Sequence, residues 1–547
     1  MSRFVDTLVD HAARSPRGMV TGAPANPVRR GWGQVHEAAR RTAAALVAAG
    51  LTGRQAVAVL AGDPAEVARA AQGTWLAGGS VTMLHQPTPR TDLSVWRDDT
   101  LRVLRMIDAR LVLVGAPFEA MAGVLRERGI PHRMIGDLDS DGEFDVVPAA
   151  EDDTALLQLT SGSTAEPKAV RISHRNLHAN LVDSSAHLRC GDDDVVVSWL
   201  PLFHDMGMVG CLLLPMFTGM DLVMVTPAEF LVRPMVWAEL MSRYGGTITA
   251  APNFAYAILA RQLARAEAGS LDLSRLKALC NGAEPIDPAT VEAFVAAGAR
   301  FGLRPTAVNC CYGAAESALV ISLSALSDPM LLDTVDALEL EKNRRAVPVR
   351  DDHPSGVRRL PMLGSAFPSV AVRVVDDSGA ELGDREVGRL QLRGESVTTG
   401  YLTEEGPAPA LDDDGWLDIG DEGYLAGGQI VVCGRRKDVI IMGGRNIYPT
   451  DIERAAAGVD GVRDGNVAAV RLMAGDGVAR ESFAVLVESR LAGDPAAERA
   501  LSDAVAARII ADVDARPASV VVLPPGSLPK TPSGKLRRAA ARALIPH

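Results

Sequence analysis

Between residues 34 and 311 the chain alternates two textures, and this alternation limits the fold more than any other feature. Short apolar runs fall at 56–60 (Ala-Val-Ala-Val-Leu), 80–84, 111–114, 195–199, 221–225, 247–250, 276–280 and 306–311. Helical compositions fall between them, at 36–51, 64–78, 100–110, 253–268 and 288–297. An apolar run without polar alternation reads as a strand buried on both faces, and an intervening helix is the crossover that parallel strands need. The expected fold class is α/β, with parallel-rich sheets covered by helices. From residue 364 the texture changes. Runs at 370–375, 387–393 and 429–432 are strand-like, with glycine turns and little helix, which predicts a small β-rich subdomain over about 364–434. A charged loop follows, Gly434-Arg435-Arg436-Lys437-Asp438, and then about 110 residues of α+β pattern. One turn glycine and four charges suit an exposed hinge. The expected organisation is an N-terminal domain over 1–434, a hinge at 435–438 centred on Lys437, and a smaller mobile C-terminal domain over 435–547.

Composition excludes several classes. A net charge of −12 with no basic cluster argues against a nucleic-acid surface. The N-terminus lacks a charged-then-apolar signal pattern. The longest apolar region, 206–225, holds three glycines, a proline and Asp221, so it suits a buried element better than a membrane span. The six cysteines (190, 211, 280, 310, 311 and 433) show no paired spacing and read as buried thiols, not as disulfides or zinc ligands. A cytoplasmic protein without integral membrane association is expected.

The first chemical signal follows the apolar run 155–159. It reads Thr160-Ser161-Gly162-Ser163-Thr164-Ala165-Glu166-Pro167-Lys168. Its first five residues are small and four carry hydroxyls. Backbone N–H groups and hydroxyls of such a loop can surround a phosphate, with Lys168 adding a compact charge. The spacing is not that of a Walker loop. Taken alone, the nonapeptide serves equally well as a hydroxyl-rich surface turn. Lysine usage adds a second signal. Of 56 basic residues only six are lysines, at 168, 277, 342, 437, 530 and 535, and four of these fall in loop motifs.

Six further stretches follow that loop in a set order: Asn281-Gly282-Ala283-Glu284-Pro285, Tyr312-Gly313-Ala314-Ala315-Glu316, residues 388–401, Trp416-Leu417-Asp418-Ile419-Gly420-Asp421, the 434–438 loop, and Pro529-Lys530-Thr531-Pro532-Ser533-Gly534-Lys535. The series resembles the adenylate-forming superfamily of acyl-CoA synthetases, adenylation domains and luciferases along almost the whole chain. Residues 199–209 and 444–453 are similar to the fatty acyl-AMP ligases, and 83–90 to a mycobacterial branch of them. The resemblance implies ATP-dependent activation of a fatty or other aliphatic carboxylic acid to acyl-AMP with release of pyrophosphate. The acyl group would then pass to the phosphopantetheine thiol of an acyl carrier protein, in lipopeptide- or polyketide-type metabolism. An acyl-CoA synthetase using CoA, or a silent homologue that only binds, stands as the alternative.

The resemblance also assigns residues. Thr160, Ser161, Gly162, Ser163, Thr164 and Lys168 would hold the outer phosphates of ATP. Glu316 and Thr164 would hold Mg²⁺, and Lys535 would bridge carboxylate and α-phosphate oxygens. Asp421 would meet the ribose hydroxyls with Arg435 beside it. Tyr312 would stack on adenine, flanked by Gly282, Ala283, Glu284 and Pro285, with Gly313 also among the nucleotide-binding residues. His204 would stand where the carboxylate meets the acyl pocket, and suits a core histidine equally well. Departures from the family pattern are Ala165 and Ala169 for glycines, Ile419 for threonine and Gly443 for arginine. Residues 331–361 have the texture of an insertion that restrains the last domain in fatty acyl-AMP ligases.

Overall fold

The computed structural model describes residues 1–88, 91–140, 144–160, 167–353, 356–475, 478, 480–530 and 536–546. Its centre is a pair of large sheets, each of eight strands among the described residues. In one, Ala278–Asn281, Ile248–Ala251, Val195–Ser198, Asp221–Met224 and Gly18–Thr21 run parallel, and Val308–Gly313 continues them. In the other, Ser80–Met83, Ala56–Leu60, Leu111–Val114 and His132–Met134 run parallel beside Thr154–Thr160. Antiparallel partners are added at the margins: Val28–Gly31, Val320–Leu323, and the series Lys168–Ser173, Gly400–Thr403, Gly406–Pro409. The fold is the expected α/β class, with mixed sheets in which parallel strands dominate the middle.

The helices start where local chemistry directs. Asp63, Asp287 and Asp494 each precede a proline, and each accepts backbone N–H bonds from the first turn of Pro64–Leu76, Pro288–Ala299 and Pro495–Val513. A carboxylate N-cap followed by proline at N1 satisfies the orphan donors and pre-sets φ. Two expected elements move. The helix expected at 100–110 runs over Leu93–Met106, because Asp92 caps it by accepting from Ser94 N at 2.8 Å. The apolar stretch 206–225 is three elements, not one: a π-helix Met206–Leu213, a short helix Leu214–Thr218 and the strand Asp221–Met224. Pro215 has no N–H for the carbonyl four residues back, which disturbs the regular α ladder. Gly219, with φ +73°, ends the short helix.

Ala371–Val375, Gly388–Arg393, Leu417–Ala426 and Gln429–Arg435 form a four-stranded antiparallel sheet within the β-rich stretch. Gly400–Thr403 and Gly406–Pro409 leave that stretch and join the large sheet beside Lys168. Strand Gln429–Arg435 is followed by a 3₁₀ turn, Arg436–Asp438. Beyond it, Val467–Leu472, Ser482–Glu488 and Ser519–Leu523 form a separate sheet, with a core of their own between it and helices Pro449–Ala457 and Pro495–Val513. No described helix is long and apolar enough to cross a membrane. All six cysteines are free thiols; Cys211, Cys310 and Cys433 are buried, whereas Cys190, Cys280 and Cys311 are only partly so.

Candidate active site

One cavity of about 1490 Å³ collects most of the described candidate residues. Thr160 and Lys168 stand opposite each other in the antiparallel ladder between Thr154–Thr160 and Lys168–Ser173. Ser161, Gly162, Ser163 and Thr164 lie outside the described residues, as does Lys535. Lys168 Nζ is 3.9 Å from Glu316 Oε1 and 4.0 Å from the centre of the Tyr401 ring. Glu316 sits in the 3₁₀ turn Ala315–Ser317, and its Oε1 also accepts the Tyr401 hydroxyl at 3.2 Å.

A second cluster lies along the cavity wall. The Tyr312 hydroxyl donates to Asp421 Oδ2 at 2.6 Å, and Arg435 Nε lies 2.9 Å from Asp421 Oδ1. Arg435 is held in turn by Ile419 O, to which Nη1 donates at 2.8 Å. Burial raises the Asp421 carboxyl above its ordinary range, outweighing the Arg435 charge and the Tyr312 hydrogen bond. Burial, then Asp421, push the Tyr312 phenol well up, so it remains a donor.

Gly282, Ala283, Glu284 and Pro285 follow strand Ala278–Asn281 and line the same cavity as Tyr312. A Cβ on Gly282 would come within 2.9 Å of Cys311 O, so only glycine lets the two strand ends approach. Ala283 has φ +67°, and Glu284 fixes the turn by accepting from Phe254 N at 2.6 Å. Gly313 has a similar need, since a Cβ there would lie 2.2 Å from Leu319 O.

His204 lines the cavity at the entry to the π-helix, its Nδ1 2.7 Å from Asp205 Oδ1. Beside it is His85, which sequence reasoning did not single out; burial, reinforced by His204, holds the His85 imidazole down to about 4, so it stays neutral. Gln158 Nε2 donates to Phe203 O at 2.9 Å and ties the His204 turn to the strand that leads into the hydroxyl loop. Gly207 serves backbone contact, because a Cβ there would meet Pro201 O at 2.2 Å. Gly210 instead lines the cavity opposite Leu319. Other walls are apolar, with Leu181, Leu188, Val209, Leu323 and Phe367.

The far side of the cavity comes from the last part of the chain. Residues 536–540 and Arg542 line it, as does Lys437. Arg538 Nε and Nη2 donate to Glu453 at 3.0 and 2.8 Å, and its Nη1 donates to Asp438 at 3.2 Å. The segment just after Lys535 is thereby tied to the 436–438 turn. Burial lowers the Lys437 ammonium, with Arg435, Lys168 and Arg538 adding to the effect against Asp438. Neither Arg538 nor Tyr401 stands out from its neighbours in the sequence, although Tyr401 ends the 388–401 stretch.

Polar groups, apolar side chains and several cations line one cavity. A family model described as AMP-binding enzyme matches residues 10–402. The chain belongs to the AMP-binding enzyme family. Its relatives in this family include the putative ligase Rv1013 of Mycobacterium tuberculosis, 52% identical over 548 residues and 100% of both chains. The long-chain-fatty-acid–AMP ligase FadD26 of Mycobacterium marinum is 34% identical over 429 residues, spanning 74% of this chain and 72% of that one. Among solved structures, one from a study of fatty acyl-adenylate ligases of E. coli and L. pneumophila superposes with a TM-score of 0.90 at 28% identity, covering 100% of this chain and 98% of that one. This member of the AMP-binding enzyme family is an adenylate-forming ligase, and the family uses ATP.

Proposed function

We propose that the protein joins a fatty carboxylic acid to AMP and then passes the acyl group to the phosphopantetheine thiol of a carrier protein. The observation that carries the first step is one cavity whose lining combines apolar side chains with Lys168, His204, Tyr312, Glu316 and Asp421. A carboxylate does not acylate a thiol directly, because its oxygen leaves poorly. Its attack on the α-phosphorus of ATP forms a C–O–P bond and breaks the bond to pyrophosphate; AMP later leaves easily. The barrier is an anion approaching a polyanion, so positioned charge is what the protein must supply.

On this reading Lys168, with Thr160 and the hydroxyls of Ser161, Ser163 and Thr164, receives the outer phosphates. Asp421 accepts the ribose hydroxyls beside Arg435, and Tyr312 with Gly282–Pro285 receives adenine. His204 donates to the substrate carboxylate. Lys535 bridges that carboxylate and the α-phosphate. Among the described residues no group of three or more His, Cys, Asp or Glu could hold a metal ion. A single carboxylate, Glu316, nevertheless fits Mg²⁺ that enters with ATP, since Mg²⁺ keeps phosphate oxygens and waters. Bound there with Thr164, it would neutralise charge on the phosphates.

The carrier as acceptor is favoured by the packing of 331–361 against the chain beyond the 436–438 turn. Glu341 accepts from Arg445 Nε at 2.7 Å and its backbone carbonyl from Asn446 Nδ2 at 2.9 Å. Arg358 donates to Asp451 at 3.2 Å and lies 4.4 Å over the Tyr448 ring. These contacts oppose a large rotation of the last part of the chain. The test is a product assay with ATP, Mg²⁺ and a panel of carboxylic acids, with CoA and a phosphopantetheinylated carrier offered separately. Acyl-AMP and a carrier thioester are expected. A CoA thioester formed as readily would overturn the acceptor, and no acyl-AMP from any acid would overturn the reaction.

A further inference from the structure

Lys168 and Glu316 present an unusual geometry. An ammonium and a carboxylate free to meet close to about 2.7–2.9 Å. Here Nζ and Oε1 stay 3.9 Å apart, although they line one cavity. Tyr401 occupies both partners. Its hydroxyl donates to the same Oε1 at 3.2 Å, and its ring face carries the Lys168 ammonium 4.0 Å from the centroid. A cation over a ring face is attracted by the ring's quadrupole, so the lysine has a seat that is not the carboxylate.

The backbone gives Tyr401 little freedom. Strand Gly400–Thr403 pairs with the strand that bears Lys168, with Tyr401 opposite Val170 and Thr403 opposite Lys168. Three residues earlier, Thr398 N donates to Glu316 O at 2.8 Å, and Thr398 Oγ1 donates to Arg171 O at 2.6 Å and Gly400 O at 3.0 Å. One short segment therefore holds Glu316 at both backbone and side chain, and Lys168 through the sheet and the ring.

We infer that Tyr401 is a positioning residue for the adenylation step: it keeps Lys168 and Glu316 apart, so that the lysine remains available to phosphate oxygens and the carboxylate to the magnesium that accompanies them. Without the hydroxyl, Glu316 turns towards Lys168 and is a poorer magnesium ligand. Without the ring, Lys168 also swings onto Glu316, and the phosphates lose their cation. Burial and the neighbouring Glu316 raise the Tyr401 phenol, so the hydroxyl stays a donor throughout the working pH range.

The inference rests on the roles proposed above for Lys168 and Glu316, and the experiment separates the two. Tyr401→Phe removes only the hydroxyl; Tyr401→Leu removes the ring as well. ATP binding to the full chain is measured by calorimetry in EDTA and over a series of free Mg²⁺ concentrations. Pyrophosphate exchange is followed on the same preparations, with melting curves as a folding control. For Tyr401→Phe the free Mg²⁺ at half-maximal ATP binding should rise at least about 10-fold, the size of one lost hydrogen bond to a charged group. Its metal-free ATP binding and its kcat at saturating Mg²⁺ should stay within about two-fold. For Tyr401→Leu, ATP binding should weaken with and without the metal. If Tyr401→Phe binds ATP equally less well in both conditions, the tyrosine only supports packing and the inference fails. An unmoved Mg²⁺ dependence in an active wild-type background overturns it as well. If wild-type protein itself shows no pyrophosphate exchange, the functional reading falls first. Should Tyr401→Leu not fold, the Phe variant decides alone.

Discussion

Asp421 illustrates how a side chain proposed to bind the nucleotide sits against the grain of stability. Its carboxylate is buried with one guanidinium and one phenol for company, and burial outweighs both, so its pKa is raised. Ionising it therefore costs folding free energy. That cost is absent below the ordinary carboxylate pKa and grows as pH rises towards the raised value. Asp421→Asn removes the cost. The melting temperature of the variant should gain on wild type as pH increases through the acid range, while ATP affinity falls about ten-fold or more for the loss of a charged acceptor. The opposite pH trend in melting curves would mean that Arg435 and Tyr312 stabilise the carboxylate more than burial penalises it. Lys535 belongs to the same scale. On the proposed reading Lys535→Ala cuts adenylation by at least ~10², the loss expected for one transition-state charge contact. Thioester formation from supplied acyl-AMP should suffer far less. Equal losses in the two half-reactions would remove Lys535 from its assigned role.

Among the elements, residues 331–361 bear most on the choice of acceptor. Strand Leu332–Asp336 pairs with Val357–Pro361, and helix Ala337–Asn343 between them presents Glu341 to Arg445. Glu341 is buried and Arg445 nearly so, so removing one partner would strand a charge. The paired change Glu341→Gln with Arg445→Gln avoids this and loosens the contact. It should raise the yield of CoA thioester relative to carrier thioester several-fold, with acyl-AMP formation close to wild type. An unchanged product ratio in a protein that melts normally would show that this contact does not restrain the last part of the chain.

At the scale of the whole molecule, the proposed reading asks one cavity to serve two reactions with different needs. On that reading adenylation needs Lys535 within it, and thiolation needs room for pantetheine. A rotation about 435–438 is proposed to exchange the two arrangements. The buried contacts of Glu341 with Arg445 and of Arg358 with Asp451 limit how far that rotation can go, whereas the exposed Arg261–Asp464 pair adds only about 0–1 kcal/mol. Lys437 lies in the 3₁₀ turn Arg436–Asp438, and 3₁₀ backbone in general has φ of about −50 to −70°, close to that of proline. Lys437→Pro should hold the arrangement in which residues 536–540 line the cavity. Adenylation is then kept and transfer to the carrier is lost by a far larger factor. Pyrophosphate exchange and thioester formation, measured side by side, check this. A parallel fall in both, or no change in either, would place the pivot elsewhere.

The α/β class, the order of motifs and the chemistry they imply were legible in the sequence, because each depends on residues close together along the chain. Apolar runs mark strands, Asp-Pro pairs cap helices, and a hydroxyl-rich loop ending in lysine needs only local spacing. Tyr401, His85 and Arg538 depended on the tertiary structure. Tyr401 meets Glu316 across 85 positions of sequence, and Arg538 meets Glu453 across another 85. No periodicity reports such distant pairs, since the sheet and the packing of the last segment bring them together. The π-helix at Met206–Leu213 was hidden for a related reason: its apolar composition fits any buried element, and composition does not distinguish a π ladder from an α ladder.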